Sequence, residues 1–366
     1  MLNLLRPELI RKTRLASVML MALVCIACQP TRELQLSGKT MGTTYHIKVV
    51  AGWLASGTAL QRQIDDRLAA INKSMSTYDP TSEISRFNAI ATANEPFSPS
   101  ADLLDVLQVA AELYRLTDGA WDGTLDPLVN LWGFGRKGAV SIVPDDREIR
   151  RALAHVGFDR IGLDPSGTIN KIDPLVTLDL ASIAKGFGVD AIARLLGDNG
   201  FSHFLVEIGG EVYARGRRRD GTPWRVGINR PDKDAAFNEV YLAVPLTDRA
   251  MATSGDYRIF FQIDSQSYAH ILDPRTGRPV TSGVVSATVV AGNCTVADGL
   301  ATALMVMGPG KGVALVNRLA SVECLIVVRQ PDGSFADHLS DGFVTGRPPV
   351  PSKSDPADDF PLTTRP

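Results

Sequence analysis

Histidine is scarce in this chain, five in 366 residues, and no His-rich cluster offers a catalytic zinc its ligands. The sequence has no G-x-x-x-x-G-K-[ST] phosphate loop and no strand-borne G-x-G-x-x-G turn, which argues against P-loop and Rossmann-type nucleotide binding. An excess of charge is missing too: the formal net charge is −2, so nothing points to a nucleic-acid partner. Cysteine is nearly absent from the body of the chain, where only Cys294 and Cys324 remain beyond Cys25 and Cys28. Both lie in apolar stretches, which favours two buried free thiols over a disulfide. The apolar run Leu15–Ala27 is thirteen residues long, short of the roughly 20 that a spanning helix needs.

That run has another meaning. Arg6, Arg11, Lys12 and Arg14 precede it and small Ala27 ends it, the layout of a secretory signal. Val24-Cys25-Ile26-Ala27-Cys28 resembles a bacterial lipobox, with Cys25 where leucine is usual. Residues 1–27 are therefore expected to be a lipoprotein signal, and Cys28 the lipidated first residue of an anchored, exported protein. An ordinary cleaved signal with an incidental cysteine is the competing reading. Residues 28–345 are expected to form the functional domain. From 346 to 366 the composition turns to Pro, Ser and Asp, which cannot bury a core, and a disordered tail is expected.

Between these ends the pattern alternates. Short extended runs, Leu34–Leu36 and Tyr45–Val50, come first. Leu60, Ile64, Leu68, Ile71 and Met75 recur at helical spacing, and a second helix is expected from Asp102 to Thr117, stopped by Asp118-Gly119. Residues 119–138 read as a structured loop, followed by a short helix after Pro144. Ser182–Leu196 is helical, His203–Val290 mostly strand, Thr295–Met307 and Gly312–Ala320 helical, and Glu323–Val328 a strand. Interspersed helices and hairpin-like turns predict the α+β class, with mixed antiparallel sheets flanked by helices.

Polar segments punctuated by glycine carry the candidate chemistry. They are Lys39-Thr40-Met41-Gly42-Thr43-Thr44-Tyr45, Met75-Ser76-Thr77-Tyr78-Asp79-Pro80 with Ser85-Arg86-Phe87-Asn88, and Gly119-Ala120-Trp121-Asp122. Leu128 to Gly135, Asp179-Leu180-Ala181-Ser182-Ile183-Ala184-Lys185-Gly186 and Gly209-Gly210-Glu211 follow. Thr253 to Tyr257, His270 to Gly277 and Ala297-Asp298-Gly299-Leu300-Ala301-Thr302 complete the set. Singly, each has a bland reading: a turn at Asp273–Gly277, a helix cap at Asp298. Yet Gly186 inside a helix costs about 1 kcal/mol against alanine, which suits close approach of a ligand. Asp298 and Thr302, four apart on an apolar helix, turn their oxygens one way.

Together these segments, in this order, resemble the ApbE family of flavin transferases over most of the chain, from about Leu36 to Val328. Trp121 stands where phenylalanine is common, Leu125-Asp126-Pro127 replaces a more usual glycine before the proline, and Glu207-Ile208 precedes the Gly-Gly pair where Asn and Leu are frequent. The resemblance implies an ApbE-like fold and an FAD:protein FMN transferase that splits FAD, attaches FMN to a threonine of another protein and releases AMP. It implies Mg²⁺, held by Ser182, Asp298 and Thr302, and an FAD site of Met41, Tyr78, Ala120, Trp121, Asp122, Asp179, Lys185 and Ile271. Tyr78 and Trp121 offer stacking faces, and Lys185 a charge for phosphate near a helix N-terminus. His270 and Asp256 are the alternatives for the group that activates the hydroxyl. Implied partners are flavoprotein subunits of membrane redox complexes or other exported proteins with a target threonine, met on the periplasmic side of a bacterial membrane. An FAD pyrophosphatase with water as nucleophile, and a non-catalytic FAD-binding lipoprotein, are the competing functions.

Overall fold

Two ten-residue strands, β1 (Thr31–Thr40) and β2 (Thr43–Gly52), open the fold as a hairpin. Its two turn residues, Met41 (φ 48°) and Gly42 (φ 71°), both take left-handed backbone, the type I′ geometry that follows the twist of the flanking strands. The computed structural model describes residues 31–135, 143–232, 235, 239–256, 260–263 and 266–345. The expected signal, Cys28 and the 346–366 tail lie outside the described residues.

The hairpin is extended by β3 (Phe204–Ile208), β4 (Glu211–Arg215), β5 (Arg249–Gly255), β6 (Val284–Ala291), β7 (Glu323–Arg329) and β8 (Phe335–Leu339) into one eight-stranded sheet. Its strands lie in chain order and every neighbouring pair is antiparallel. Four long helices accompany it: α1 (Gly57–Met75), α2 (Ala101–Leu116), α3 (Ala181–Asp198) and α4 (Cys294–Val316). Helix α1 packs on β1, α3 on β3 and β4, and α4 on β5, β6 and β7. The opposite face is covered by a ribbon of Trp224–Asn229 paired with Val240–Leu246.

Cover on both faces explains why central strands are apolar throughout. In β6, Val284, Ala287, Val289 and Ala291 join the helix-side core while Val285 and Val290 join the ribbon-side core. The expected α+β class is the class found. The helix periodicity is also borne out: Leu60, Ile64, Leu68, Ile71 and Met75 are the buried face of α1.

Three expectations need correction. The loop at 119–138 contains a short helix, Asp126–Leu131, started by Pro127. The two expected C-terminal helices do meet across a kink at Gly308 (φ 74°) before Pro309, but the second ends at Val316 and not at Ala320. The first strands run well beyond Leu34–Leu36 and Tyr45–Val50. Cys294 and Cys324 are buried free thiols, as expected. Helix α4 is the one helix among the described residues long and apolar enough to cross a membrane, yet it is the central core helix, largely buried by the protein itself.

A small third core, Leu128, Trp132, Ile149, Val156 and Leu272, lies apart from the sheet. Trp132 donates its indole N–H to the Gly277 carbonyl at 2.8 Å. A Cβ on Gly277 would come within 2.8 Å of Ile149, so the turn after His270 is seated tightly on this core.

Candidate active site

Helices α3 and α4 meet along an antiparallel seam. At one end the buried Asp190 accepts from the Cys294 and Thr295 backbone N–H groups at 2.7 and 2.8 Å and from the Thr295 hydroxyl at 2.6 Å. It thereby occupies donors that the start of α4 would otherwise leave unpaired. In the middle, Gly186 donates its N–H to Asp298 Oδ2 at 3.0 Å, and a Cβ on Gly186 would sit 2.4 Å from the Cys294 carbonyl oxygen. The glycine therefore admits the neighbouring helix, which corrects the expectation that it admits a ligand. Next, Ile183 packs where a side chain on Gly299 would be. Running back along α3 while advancing along α4 brings Ser182 level with Asp298 and Thr302, so the three expected metal ligands share one end of the seam.

Asp298 is 4% exposed. Burial raises its pKa above the ordinary carboxylate range, and the charge of Lys185 and the Gly186 N–H offset only part of that rise. Its Oδ1 has no hydrogen-bond donor among the described residues. The Thr302 hydroxyl pairs with Ser254 of β5 at 3.1 Å, and the Ser182 hydroxyl accepts the Trp121 indole N–H at 3.0 Å.

Beside the seam stands an ion pair whose acidic member the sequence reading left without a role. Lys185 of α3 binds Glu211, the first residue of β4. Burial works against the Lys185 ammonium, but the charges of Glu211 and Asp298 outweigh it and hold its pKa above the ordinary lysine value. Burial pushes the Glu211 carboxyl up, only partly opposed by Lys185, and its Oε2 is buried with no hydrogen-bond partner among the described residues. The β3–β4 turn, Gly209 (φ 61°) and Gly210 (φ 105°), lies against Lys185 and Thr43. Glu207, paired with His46 at 2.8 Å, also accepts the Gly210 N–H at 2.6 Å. Two left-handed turns, Met41-Gly42 and Gly209-Gly210, thus flank α3 side by side. A carboxylate immediately after a Gly-Gly turn was the signal in the sequence for Glu211.

The remaining candidates fall around this centre. Met41 reaches Gly188 of α3, where an added Cβ would lie 3.0 Å from its methyl carbon. Asp179 caps α3 by accepting the Ala181 N–H at 2.9 Å, and its own N–H bonds the Gly123 carbonyl at 2.8 Å. Asn88 bonds the backbone of Leu178 in both directions at 2.8 Å, tying the segment after Tyr78 to the same helix start. Tyr78 is 80% exposed. Trp121 is buried against Phe158, with ring centroids 6.2 Å apart, and Ala120 is buried beside it. Trp121 is therefore a wall that fixes Ser182, which corrects the expectation of an open stacking face.

Asp122 also departs from expectation, because both its oxygens are occupied within the protein. Oδ1 accepts from the Thr124 N–H and hydroxyl and Oδ2 from the Phe158 N–H. Burial raises its pKa to about 6 against those bonds. The folded chain thus holds this proton more tightly than the unfolded one, so the stability Asp122 lends is full below about pH 4 and declines as pH rises through 6. Asp122→Ala is expected to cost most near pH 4 and less near pH 7, the difference being up to about 3 kcal/mol. Denaturant unfolding of both proteins at the two pH values measures it, and a deficit that grows with pH contradicts this reading.

Asp256 and Ile271 line one cleft with Val280, Ser282, Val284 and Met305. Met305 lies one turn beyond Thr302, and Asp256 two residues beyond Ser254, so the cleft adjoins the Thr302 end of the seam. His270, half-buried, directly precedes Ile271 and stands edge-on to Phe134 at 6.4 Å. Asp256 thus lines a cleft that adjoins the Thr302 end of the seam, and His270 directly precedes another of its lining residues, both on segments distant in sequence from the expected ligands.

Residues 41–326 match the model of the ApbE family. The chain belongs to that family. It is 44% identical over 331 residues to the FAD:protein FMN transferase of Vibrio cholerae, covering 90% of this chain and 96% of that one. It is 40% identical to the Haemophilus influenzae FAD:protein FMN transferase, covering 88% and 94%. The solved flavin transferase ApbE from Vibrio cholerae superposes with a TM-score of 0.78 at 42% identity, over 86% of this chain and all of that one. The Pseudomonas stutzeri flavinyl transferase ApbE, in apo form, gives a TM-score of 0.76 at 35% identity, covering 85% and 95%. This ApbE-family chain is accordingly an enzyme, a flavin transferase.

Proposed function

We propose that this enzyme transfers FMN from FAD to a threonine of an exported acceptor protein, with Mg²⁺, and releases AMP. The threonine oxygen forms a bond to the FMN-side phosphorus, the pyrophosphate P–O bond to AMP breaks, and the hydroxyl proton passes to a protein base. Such transfer asks the protein mainly for position and charge. The observation that carries the reading is Asp298: a buried carboxylate with one oxygen bonded by the Gly186 N–H and the other without a donor among the described residues, at the same end of the seam as two neutral oxygens.

That donor set suits Mg²⁺. Among the described residues no three or more His, Cys, Asp or Glu side chains gather as a metal site, which disfavours zinc. Magnesium takes hard oxygens and shares its shell with phosphates and water. Asp298, Thr302 and Ser182 would hold it, and when bound it neutralises charge on the phosphates. For Ser182 the backbone carbonyl is the better donor, since the hydroxyl is engaged by Trp121. Lys185, kept charged, offers a fixed cation to the pyrophosphate. Met41, Tyr78 and Ile271 offer apolar surface to the flavin, and Asp179 and the Trp121 wall hold the start of α3 in place.

His270 is proposed to take the threonine proton, with Asp256 across the same region as the alternative. The solved structures similar to this chain include a histidine-to-glycine variant of the Vibrio cholerae enzyme. His270→Ala is expected to slow transfer by about 10²-fold or more, the scale of general base catalysis, with FAD affinity within a few-fold of normal. Equilibrium FAD binding and single-turnover transfer separate these, and joint loss of binding and folding contradicts the catalytic role.

The lipobox reading makes Cys28 an anchor on the periplasmic side of a bacterial membrane. Cys28→Ser is expected to move the protein from membranes to the soluble exported fraction. Unchanged membrane association in fractionated cells contradicts it. The whole functional reading is tested by counting AMP against flavinylated acceptor. One AMP per modified threonine is expected, whereas AMP with free FMN and unmodified acceptor describes a pyrophosphatase.

A further inference from the structure

The β1–β2 hairpin ends, away from the active site, in a built apolar knuckle. After Gly52 the chain turns through Trp53 and Leu54, closed by the Ala55 N–H donating to the Gly52 carbonyl at 3.0 Å. Arg32 of β1 locks the turn by donating to the Ala55 carbonyl at 2.7 Å, with its guanidinium carbon 5.8 Å from the Trp53 ring centroid. The two residues at the tip are nonetheless in water: Trp53 is 63% and Leu54 94% exposed. A tryptophan and a leucine held adjacent and outward by a fixed turn join none of the buried cores of this fold, so core packing does not account for them.

Their place along the chain supplies the occupant. Thr31 pairs directly with Gly52, so the knuckle sits beside the point where the chain enters the fold. Only Gln29 and Pro30 separate Thr31 from Cys28, and three residues span at most about 10 Å. A lipid on Cys28 therefore brings the bilayer surface to the knuckle. Tryptophan favours the headgroup region, leucine the acyl boundary, and arginine the phosphates.

We propose that Trp53 and Leu54, braced by Arg32, form a footing that inserts into the phospholipid surface beside the acyl anchor. This rests on Cys28 being lipidated. The footing fixes which end of the molecule faces the membrane. The other end of the hairpin, the Met41-Gly42 turn at the active site, lies about 30 Å along the ten-residue strands at the usual rise. The anchor and footing together therefore hold the site away from the bilayer, toward acceptors whose threonine stands clear of the lipid.

Tryptophan emission tests this cleanly, because the other three tryptophans, Trp121, Trp132 and Trp224, are 1, 1 and 3% exposed. The full acylated chain is reconstituted in phosphatidylcholine vesicles whose acyl chains carry bromine, and compared with unbrominated vesicles. Flotation reports the anchor and bromine quenching reports the footing. The expected result is flotation with loss of most Trp53 emission. Quenching should vanish in Trp53→Phe and fall sharply in Leu54→Asp, both of which should still float. Flotation with unquenched emission overturns the footing and leaves the anchor standing, while failure to float overturns both.

Discussion

Asp298→Asn should give a folded protein in which FMN transfer falls by roughly two orders of magnitude or more, the scale of losing one strong electrostatic stabiliser. Asparagine keeps the size and one carbonyl oxygen, so the Gly186 N–H at 3.0 Å retains its acceptor. Burial already disfavours the charge of Asp298, so removing it relieves a cost and stability should hold or rise slightly near neutral pH. Glu211 stays paired with Lys185 and keeps it charged. What disappears is a buried negative oxygen donor at the end of the seam. Thr302→Val should cost less, because it removes a neutral ligand of similar shape. Transfer by the native enzyme should stop with a chelator and return with added Mg²⁺. Near-normal, chelator-insensitive transfer by Asp298→Asn would place any ion elsewhere.

Gly186→Ala should be damaging for a different reason. The new Cβ would lie 2.4 Å from the Cys294 carbonyl oxygen, 2.8 Å from its carbon and 2.9 Å from Asp298 Cβ. The first two are backbone atoms that cannot rotate aside, so α3 and α4 must separate. Overpacking of this kind costs about 3 kcal/mol, which lowers Tm by roughly 6–12 °C at 2–4 °C per kcal/mol. Separation also pulls Ser182 from Asp298 and Thr302, so transfer should drop even at temperatures where the variant is folded. Gly292→Ala is the control: its Cβ would meet nothing within 4 Å, and Tm and transfer should stay near normal. Equal tolerance of both changes in a thermal melt would mean that the seam is not as close as described.

The sequence was most readable where chemistry is local. The helical repeat of Leu60 to Met75 identified α1, and the four-residue spacing of Asp298 and Thr302 placed two oxygens on one face. The helices on either side of the Gly308 kink in α4 were both legible, although the second ends at Val316 and not at Ala320. Helix Asp126–Leu131 was hidden because six residues are too few to show a period. In β1 only Leu34, Leu36 and Thr40 are buried, too sparse an alternation to reveal ten residues of strand.

Contacts between distant segments were beyond reach. Nothing local says that α3 runs antiparallel to α4, so the partner of Gly186 was taken for a ligand when it is Cys294. Trp121 and Asp122 were placed in the FAD site by the family resemblance, which says nothing of where their side chains turn in this chain. The structure turns the first toward Ser182 and closes the second on Thr124 and Phe158. The turn residues of Gly209-Gly210 were visible, but the ion pair beside them needed the fold that carries Glu211 to Lys185.

The central claim is that a threonine on another protein, not water, receives FMN. An exported flavoprotein subunit is incubated with the enzyme, FAD and Mg²⁺, then measured as an intact mass and as proteolytic peptides. The expected result is an acceptor heavier by one FMN less one water, with the addition mapped to a threonine and absent when Asp298→Asn replaces the native enzyme over the same interval. An unmodified acceptor, with FAD consumed to free FMN and AMP, would contradict the claim.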